Sequence, residues 1–250
     1  MSEVRGDNTP VPLKAKRALL AALTLAAACT SRAAPSSPPA AESVAAATTA
    51  DARPTIVFLG TSLTAGLGLD PGDAYPALIQ QKLDSAHLAY RVVNAGVSGE
   101  TSAGALRRID WVLQGPVGVL VIETGANDGL RGQDPDSTRA HIEAIISKAR
   151  ARRPVPAVAL VQMRALPNYG PEYGRRFDRL YPAVADREHV TLFPFLLARV
   201  AGIDSLNQPD GIHPNVRGER IVADNVWHAL LPLLDSISAQ KNPLPPSGRN

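Results

Sequence analysis

Short apolar runs alternate with longer segments of helical spacing along residues 55–234, and this alternation restricts the possible folds more than any other feature. A continuous apolar run bounded by turn residues is typical of a strand buried on both faces. The predicted strands are 55–59, 90–94, 117–123, 157–161 and 190–193. The predicted helices are 76–84, 101–113, 137–153, 173–185 and 215–234. Strands that alternate with helices form a covered parallel sheet, so the pattern predicts an α/β three-layer sandwich with a five-stranded parallel sheet.

Polar and glycine residues follow three of the predicted strands directly. The three segments are Gly60-Thr61-Ser62, Asn94-Ala95-Gly96 and Gly125-Ala126-Asn127. Functional groups of a parallel α/β sheet collect at the carboxyl ends of its strands. We therefore expect these three loops to meet at one edge of the sheet and to form a functional site there.

Ser62 lies in the first of these loops, where a serine most simply caps a helix. Asp210 and His213 come just before the last predicted helix, and an aspartate three residues before a histidine can accept a hydrogen bond from its Nδ1. The histidine Nε2 is then free to take a proton from a serine. The pattern predicts Ser62 as nucleophile, His213 as general base and Asp210 as the residue that orients it. The simpler alternative for His213 is a helix-entry residue with local hydrogen bonds.

Gly96 and Asn127 are the candidates for stabilising an oxyanion at this site. A glycine lets its backbone N–H approach a substrate oxygen closely, and the Asn127 amide can donate a second hydrogen bond. The Ser62 N–H is the third predicted donor. The alternative for Asn127 is a turn residue that bonds its own backbone.

Composition argues against several other functions. Aromatic residues make up 4% of the chain, which does not suit a stacking platform for single-stranded nucleic acid. Part of the net charge of +3 belongs to residues 1–28, and no long basic run follows them, so no nucleic-acid partner is expected. The single cysteine, Cys29, provides neither an intrachain disulfide nor a cysteine metal site. We expect no metal and no organic cofactor.

Residues 1–29 have the layout of an export signal. Three basic residues, Lys14, Lys16 and Arg17, precede an apolar stretch, 18–28, that is too short for a stable membrane anchor. Cys29 ends this stretch as in bacterial lipoproteins, whose cysteine is lipidated. The alternatives are cleavage after an Ala-x-Ala pattern and an alanine-rich disordered tail. We expect a periplasmic or secreted protein whose membrane contact is limited to such a lipid anchor.

The other boundaries follow from composition. Residues 30–53 are rich in Ala, Ser, Pro and Thr and predict a disordered linker, whereas the Pro-rich, polar residues 237–250 predict a disordered tail. Residues 54–236 form the predicted domain, which we expect to be monomeric.

These features together resemble the SGNH hydrolases, also called GDSL esterases and lipases. The family is named for a serine, a glycine, an asparagine and a histidine in separate blocks, here Ser62, Gly96, Asn127 and His213. The resemblance covers residues 55–234 and is closest to the bacterial branch of acyl-CoA thioesterases, lysophospholipases and arylesterases. The segments that carry it are Gly99-Glu100-Thr101-Ser102, Gly125-Ala126-Asn127-Asp128-Gly129-Leu130-Arg131-Gly132, Leu166-Pro167-Asn168-Tyr169-Gly170 and Asp210-Gly211-Ile212-His213-Pro214. The resemblance implies a flavodoxin-like fold and hydrolysis of a small-molecule ester or thioester, lipids among them.

One position departs from the family pattern. Thr61 stands where the usual Gly-Asp-Ser-Leu motif has an aspartate beside the nucleophile, so the charge near Ser62 differs. By analogy with the family, the expected pocket residues are Leu67, Leu69, Asn168 and Tyr169.

Other functions remain open from the sequence. The same sheet topology binds the phosphate of FMN at its first strand–helix loop, where Thr61, Ser62 and Thr64 could surround a phosphate. A catalytically silent protein that only binds acyl chains or glycans is another alternative. An α/β-hydrolase with a nucleophile elbow is excluded, because its Gly-x-Ser-x-Gly motif needs a glycine where Thr64 stands.

Overall fold

A computed structural model of the protein describes residues 53–241. The predicted export signal, Cys29 and nearly all of the predicted linker lie outside the described residues, as do residues 242–250. Within the described range, no helix combines the length and the apolar character needed to cross a membrane.

Five parallel strands form one sheet in the order β2-β1-β3-β4-β5. The strands are β1 (Thr55–Gly60), β2 (Arg91–Gly96), β3 (Val119–Ile122), β4 (Ala157–Val161) and β5 (Thr191–Phe193). Every residue of the central strands β1 and β3 is buried, as their continuous apolar runs predict. The strand order reverses at β1, and ligands of such sheets bind at the carboxyl ends beside this point.

Two layers of helices cover the sheet. Within residues 53–241 the α-helices are α1 (Ser62–Ala65), α2 (Tyr75–Ser85), α3 (Ser102–Val112), α4 (Ala126–Leu130), α5 (Pro135–Arg150), α6 (Gly170–Glu188) and α7 (Val216–Lys241). Helix α2 packs against α7, whereas α3 packs against α5 and α5 against α6. The predicted α/β three-layer sandwich with a five-stranded parallel sheet is confirmed.

All five predicted strands and all five predicted helices are present, with ends displaced by a few residues. The short helices α1 and α4 were not predicted, because a single turn is too short to show helical periodicity. Both follow a strand directly, at the edge where the candidate residues lie.

The last helix is longer than the sequence predicts. Helix α7 continues to Lys241, so the predicted domain end at 236 and the predicted disordered tail are wrong for residues 237–241. Pro232 lies inside the helix without ending it, and Ile237 still packs against the core. The polar composition of this last segment therefore did not indicate the helix, although Ile237 gives it an apolar contact with the core.

Glu219 connects α7 to the beginning of α2. Its side chain is buried and accepts a 2.8 Å hydrogen bond from the Tyr75 backbone N–H. Burial raises the pKa of Glu219 from 4.5 to about 8; the Tyr75 bond opposes this rise, and the charge of Glu123 adds to it. Because the folded protein holds this proton more tightly than the unfolded chain does, ionisation of Glu219 destabilises the fold as the pH rises from 4.5 through about 8.

We expect Glu219→Gln to raise the melting temperature at pH 9 and to leave it nearly unchanged at pH 4. Glutamine cannot ionise and keeps an oxygen for the Tyr75 N–H. The pKa change from 4.5 to about 8 sets an upper limit of about 5 kcal/mol on the gain in unfolding free energy at pH 9. Thermal unfolding at both pH values measures the effect, and Glu172→Gln at an exposed site is the control. Lower stability of Glu219→Gln than of the parent at pH 9 would contradict the prediction.

Candidate active site

The three residues of the predicted triad form a continuous chain of hydrogen bonds. His213 Nε2 lies 2.8 Å from Ser62 Oγ, and His213 Nδ1 lies 2.6 Å from Asp210 Oδ2. Asp210 Oδ1 accepts the backbone N–H groups of Ile212 at 2.9 Å and of His213 at 3.0 Å. When Nδ1 donates to the carboxylate, Nε2 is the nitrogen that can accept the serine proton.

Asp210 is held in its ionised form. The backbone N–H groups of His213 and Ile212, followed by the His213 ring, lower the pKa of Asp210 from 3.8 to about 2. The side chain is also 45% exposed, so water helps to solvate its charge. Asp210 therefore stays negatively charged at any neutral or mildly acidic pH and can stabilise a positively charged imidazole.

Ser62 is the first residue of α1, the single helical turn that follows β1. Thr61 caps this turn, since its hydroxyl accepts the Leu63 N–H, and Gly66 ends it in the left-handed conformation at φ 70°. A Cβ on Gly66 would lie 2.5 Å from the Cβ of Ala74, so no larger residue fits there. The tight turn places Ser62 at the carboxyl end of β1.

Gln208 connects the loop of His213 to the loop of Ser62. Its Nε2 donates to the carbonyl oxygen of Leu67 at 2.7 Å and to that of Pro214 at 2.9 Å. Its backbone N–H donates to the His213 carbonyl oxygen at 2.7 Å. These bonds join two segments that are distant in sequence and that carry Ser62 and His213.

A cavity of about 230 Å³ opens beside Ser62 and His213, and Asn127 and Gly99 line it. Asn127 lies in the first turn of α4, and its Nδ2 donates to the Glu100 carbonyl oxygen at 3.0 Å. A primary amide carries two hydrogens, so a second one is available to a molecule in the cavity. The Asn127 amide therefore lies beside Ser62 with a hydrogen available, as the predicted role of oxyanion donor requires.

The predicted role of Gly96 does not fit its surroundings. Its backbone N–H donates to Asn94 Oδ1 at 2.9 Å. A Cβ on Gly96 would lie 2.3 Å from the Ala65 backbone nitrogen, so this glycine allows α1 to pack closely on β2. Gly99, three residues later, is the glycine that borders the cavity, with φ at +76°. The sequence predicted Gly96, the glycine that ends β2, because the path of the loop after a strand cannot be inferred from residue types alone.

A second, mainly apolar cavity of about 360 Å³ adjoins the first. The two cavities share the residues Leu63, Ala126, Leu130 and Ile212. The other residues that line the second cavity are Met163, Arg164, Ala165, Leu166, Phe195, Leu197, Ala201, Gly202 and Gly211. A molecule that reaches Ser62 can therefore extend an apolar group into this space.

Of the predicted pocket residues, only Leu67 lines one of these two cavities. Leu69 and Asn168 are absent from both linings. Tyr169 lines neither cavity: its hydroxyl donates to the Leu130 carbonyl oxygen at 3.3 Å, and its ring packs over Gly132. Leu166, which lines the second cavity, lies in the same sequence segment as the predicted residues Asn168 and Tyr169.

Residues 58–221 match the model of the GDSL-like lipase/acylhydrolase family. The chain belongs to this family. It is 42% identical to esterase TesA of Pseudomonas aeruginosa over 184 residues, which are 73% of this chain and 90% of the relative. It is 38% identical to thioesterase 1/protease 1/lysophospholipase L1 of Escherichia coli K12 over 188 residues, or 74% and 88% of the two chains.

Solved structures agree with this membership. A crystal structure of TesA matches with a TM-score of 0.68 at 42% identity, covering 72% of this chain and 99% of TesA. The psychrotrophic esterase EstA from Pseudoalteromonas, inhibited by monoethylphosphonate, matches with a TM-score of 0.69 at 34% identity, covering 72% and 98%. This GDSL hydrolase is a serine hydrolase of carboxylic esters or thioesters, and none of these similarities supports a phosphate- or FMN-binding protein.

Thr61, the departure from the GDSL motif, lines the first cavity but directs its hydroxyl to Glu123. The hydroxyl of Thr61 lies 3.0 Å from Glu123 Oε2, and the hydroxyl of Thr64 donates to the same oxygen at 2.9 Å. Both threonines are buried. A phosphate at this loop would meet a carboxylate instead of free hydroxyls, which also argues against the FMN alternative.

Proposed function

We propose that Ser62 is the nucleophile of this GDSL hydrolase and that His213 and Asp210 activate it. The observation that carries the proposal is the chain of hydrogen bonds from Ser62 Oγ through the His213 ring to Asp210. His213 Nε2 takes the hydroxyl proton while Oγ attacks the carbonyl carbon, and the protonated ring then gives this proton to the leaving alcohol or thiol. Water hydrolyses the acyl-enzyme in a second round, with His213 again as the base.

The oxyanion is stabilised by the Ser62 N–H, the Gly99 N–H and the Asn127 amide. Gly99 takes the part that the sequence assigned to Gly96, because Gly99 borders the cavity beside Ser62. Each donor of this kind typically contributes about 3 kcal/mol to transition-state stabilisation. The donors come from the ends of β1, β2 and β3, so all three strand–helix loops contribute to one site.

The substrate carries an apolar acyl chain, which occupies the second cavity. The position of that cavity supports this, since it opens beside Ser62 and is lined mainly by aliphatic side chains. Export, which the sequence predicts from residues 14–29, favours lysophospholipids and other esters outside the cytoplasm over acyl-CoA. Lipidation of Cys29 and a monomeric state are parts of the same proposal.

An acyl-chain series tests this assignment. We expect Ala201→Trp to lower kcat/KM for p-nitrophenyl decanoate and for decanoyl thioesters by at least about tenfold, because the indole would fill the space of several methylene groups. Turnover of p-nitrophenyl acetate should stay close to that of the parent protein. Initial rates across chain lengths from two to twelve carbons measure the difference.

The matched control is Ala151→Trp, which places the same side chain at an exposed position after α5. It should leave the whole chain-length profile unchanged. An equal loss of activity at every chain length in Ala201→Trp would show that the second cavity does not receive the acyl chain.

A further inference from the structure

A fully buried carboxyl group, Glu123, lies directly behind the turn that carries Ser62. Glu123 follows β3, and its backbone N–H donates to the Leu59 carbonyl oxygen at 2.8 Å. Its side chain reaches the turn after β1, because Gly60 leaves the space open. A Cβ on Gly60 would lie 2.7 Å from Glu123 Oε2 and 1.9 Å from Thr64 Oγ1. The proposed mechanism assigns no role to this group.

The carboxylate receives donors from both sides of Ser62. Oε2 accepts the Thr61 N–H at 2.7 Å and the Thr64 hydroxyl at 2.9 Å. The Thr61 hydroxyl lies 3.1 Å from Oε1 and 3.0 Å from Oε2. The Tyr75 hydroxyl, 2.7 Å from Thr64 Oγ1, donates to it and completes the chain. Glu123 therefore holds both Thr61, directly before Ser62, and Thr64, two positions after it.

This set of donors fits an ionised carboxylate, which accepts at every lone pair and donates nowhere. The Thr61 N–H cannot accept a hydrogen bond, so a proton on the carboxyl would have to point to a threonine hydroxyl. That hydroxyl would then lose its own place as a donor to Glu123. Protonation therefore reverses one of these bonds and leaves the turn held by a neutral carboxyl, whose oxygens accept hydrogen bonds more weakly than those of a carboxylate.

We propose that Glu123 is a positioning residue for Ser62: its carboxylate fixes the turn from Thr61 to Thr64 and thereby keeps the Ser62 hydroxyl aligned with His213. This inference rests on the proposed role of Ser62. The same role explains why this chain can have Thr61 in place of the aspartate of the GDSL motif. The Thr61 hydroxyl forms a hydrogen bond with Glu123, whereas an aspartate at this position would repel the Glu123 carboxylate.

The surroundings of Glu123 set the pH at which it acts. Burial raises the pKa of Glu123 from 4.5 to about 7, against the lowering effect of the bonds from Thr61 and Thr64. The titratable groups near it on the packed elements are Tyr75 of α2, Arg108 of α3, Tyr181 of α6 and Glu219 of α7. Arg108 is paired with Glu100 at 2.6 Å and does not neutralise Glu123. Acidification through about pH 7 should therefore loosen the turn and lower turnover.

The test is a pH profile of Glu123→Gln. Two groups, His213 and Glu123, must be unprotonated in the parent, so log(kcat/KM) should fall with a limiting slope of about two on the acid side. In Glu123→Gln the slope should be about one, and kcat at pH 8 should be lower by about 100-fold with KM little changed, as expected for a misplaced nucleophile. Rates are followed with a p-nitrophenyl ester at the isosbestic wavelength of the product.

Glu219→Gln is the matched control, since it also replaces a buried glutamate whose pKa is raised. The Glu219 carboxyl accepts its hydrogen bond from the Tyr75 N–H and makes none with the turn that carries Ser62. Its slope should stay at about two. A second pair avoids dependence on the folding of Glu123→Gln: Thr61→Val should lower kcat, and Thr61→Ser, which keeps the hydroxyl, should restore it.

The inference is overturned if Glu123→Gln keeps both the parent's slope and its kcat, or if Thr61→Val is as active as Thr61→Ser. Covalent labelling by a p-nitrophenyl alkylphosphonate separates this failure from that of the proposed function. If only the inference fails, Ser62 of the parent is still labelled and Ser62→Ala is still inactive. If the proposed function fails, labelling at Ser62 is lost from the outset.

Discussion

Ser62→Ala is expected to lower kcat toward p-nitrophenyl butyrate by about 10⁶-fold, the loss that follows removal of the nucleophile from a Ser-His-Asp site. The methyl group cannot form an acyl-enzyme, and the His213 ring then has no hydroxyl to deprotonate. The protein should still fold, because the backbone caps of α1 come from Thr61 and Gly66 and do not involve the Ser62 hydroxyl. Residual hydrolysis above the rate in water would come from the oxyanion donors and binding alone.

Two measurements check this result. Steady-state kinetics give kcat, and intact-mass analysis after treatment with an alkylphosphonate ester shows whether one adduct forms on the parent and none on Ser62→Ala. Ser205→Ala, which changes an exposed serine away from the two cavities, should match the parent in both assays. Turnover of Ser62→Ala near the parent's value would remove Ser62 from the mechanism.

Asp210→Asn is expected to lower kcat by about 10⁴-fold and to leave KM nearly unchanged. The carboxylate accepts three donors: the backbone N–H groups of Ile212 and His213 and the His213 ring. An asparagine has only one acceptor oxygen, so whichever way its amide turns, an N–H₂ group faces a donor. If it faces His213 Nδ1, the ring shifts to the tautomer with its proton on Nε2, and that nitrogen can no longer accept from Ser62.

The pH dependence provides a second readout. The pKa of Asp210 is lowered to about 2. In the parent the ionised carboxylate therefore contributes to the site and to the stability of its loop at any pH well above that value. This contribution is lost only as the pH falls through about 2. Raising the pH should therefore not restore Asp210→Asn. Asp204→Asn, at an exposed aspartate six residues earlier, is the control and should have normal kinetics. A loss of less than tenfold in Asp210→Asn would remove Asp210 from the triad.

Local patterns in the sequence were sufficient to predict the layers of the fold. Strand burial and helical periodicity depend on residues that are close in the chain, so the five strands and the long helices could be inferred without coordinates. The sequence also predicted the edge of the sheet at which the site lies, because parallel strands all present their carboxyl ends there. Ser62 and the Asp210/His213 pair were identifiable, since three residues of spacing allow the aspartate to reach the imidazole whatever the rest of the chain does.

Features that depend on long-range packing were inaccessible to this reasoning. Gly96 ends β2 and Gly99 follows three residues later, and only the path of the chain shows that Gly96 packs against α1 and Gly99 borders the cavity. Tyr169 was predicted as a pocket residue, but its ring lies over Gly132 and it lines neither cavity.

Glu123 is the clearest example of this division. In the sequence it is the polar end of an apolar strand and carries no motif. In the tertiary structure it lies beneath the turn of Ser62 and accepts hydrogen bonds from Thr61 and Thr64, which are about 60 positions away in the chain. Sequence alone determined which side chains could perform the chemistry, because that depends on residue type and local spacing. Only the tertiary structure decided which groups hold them in place, because hydrogen bonds and burial form between segments that folding brings together.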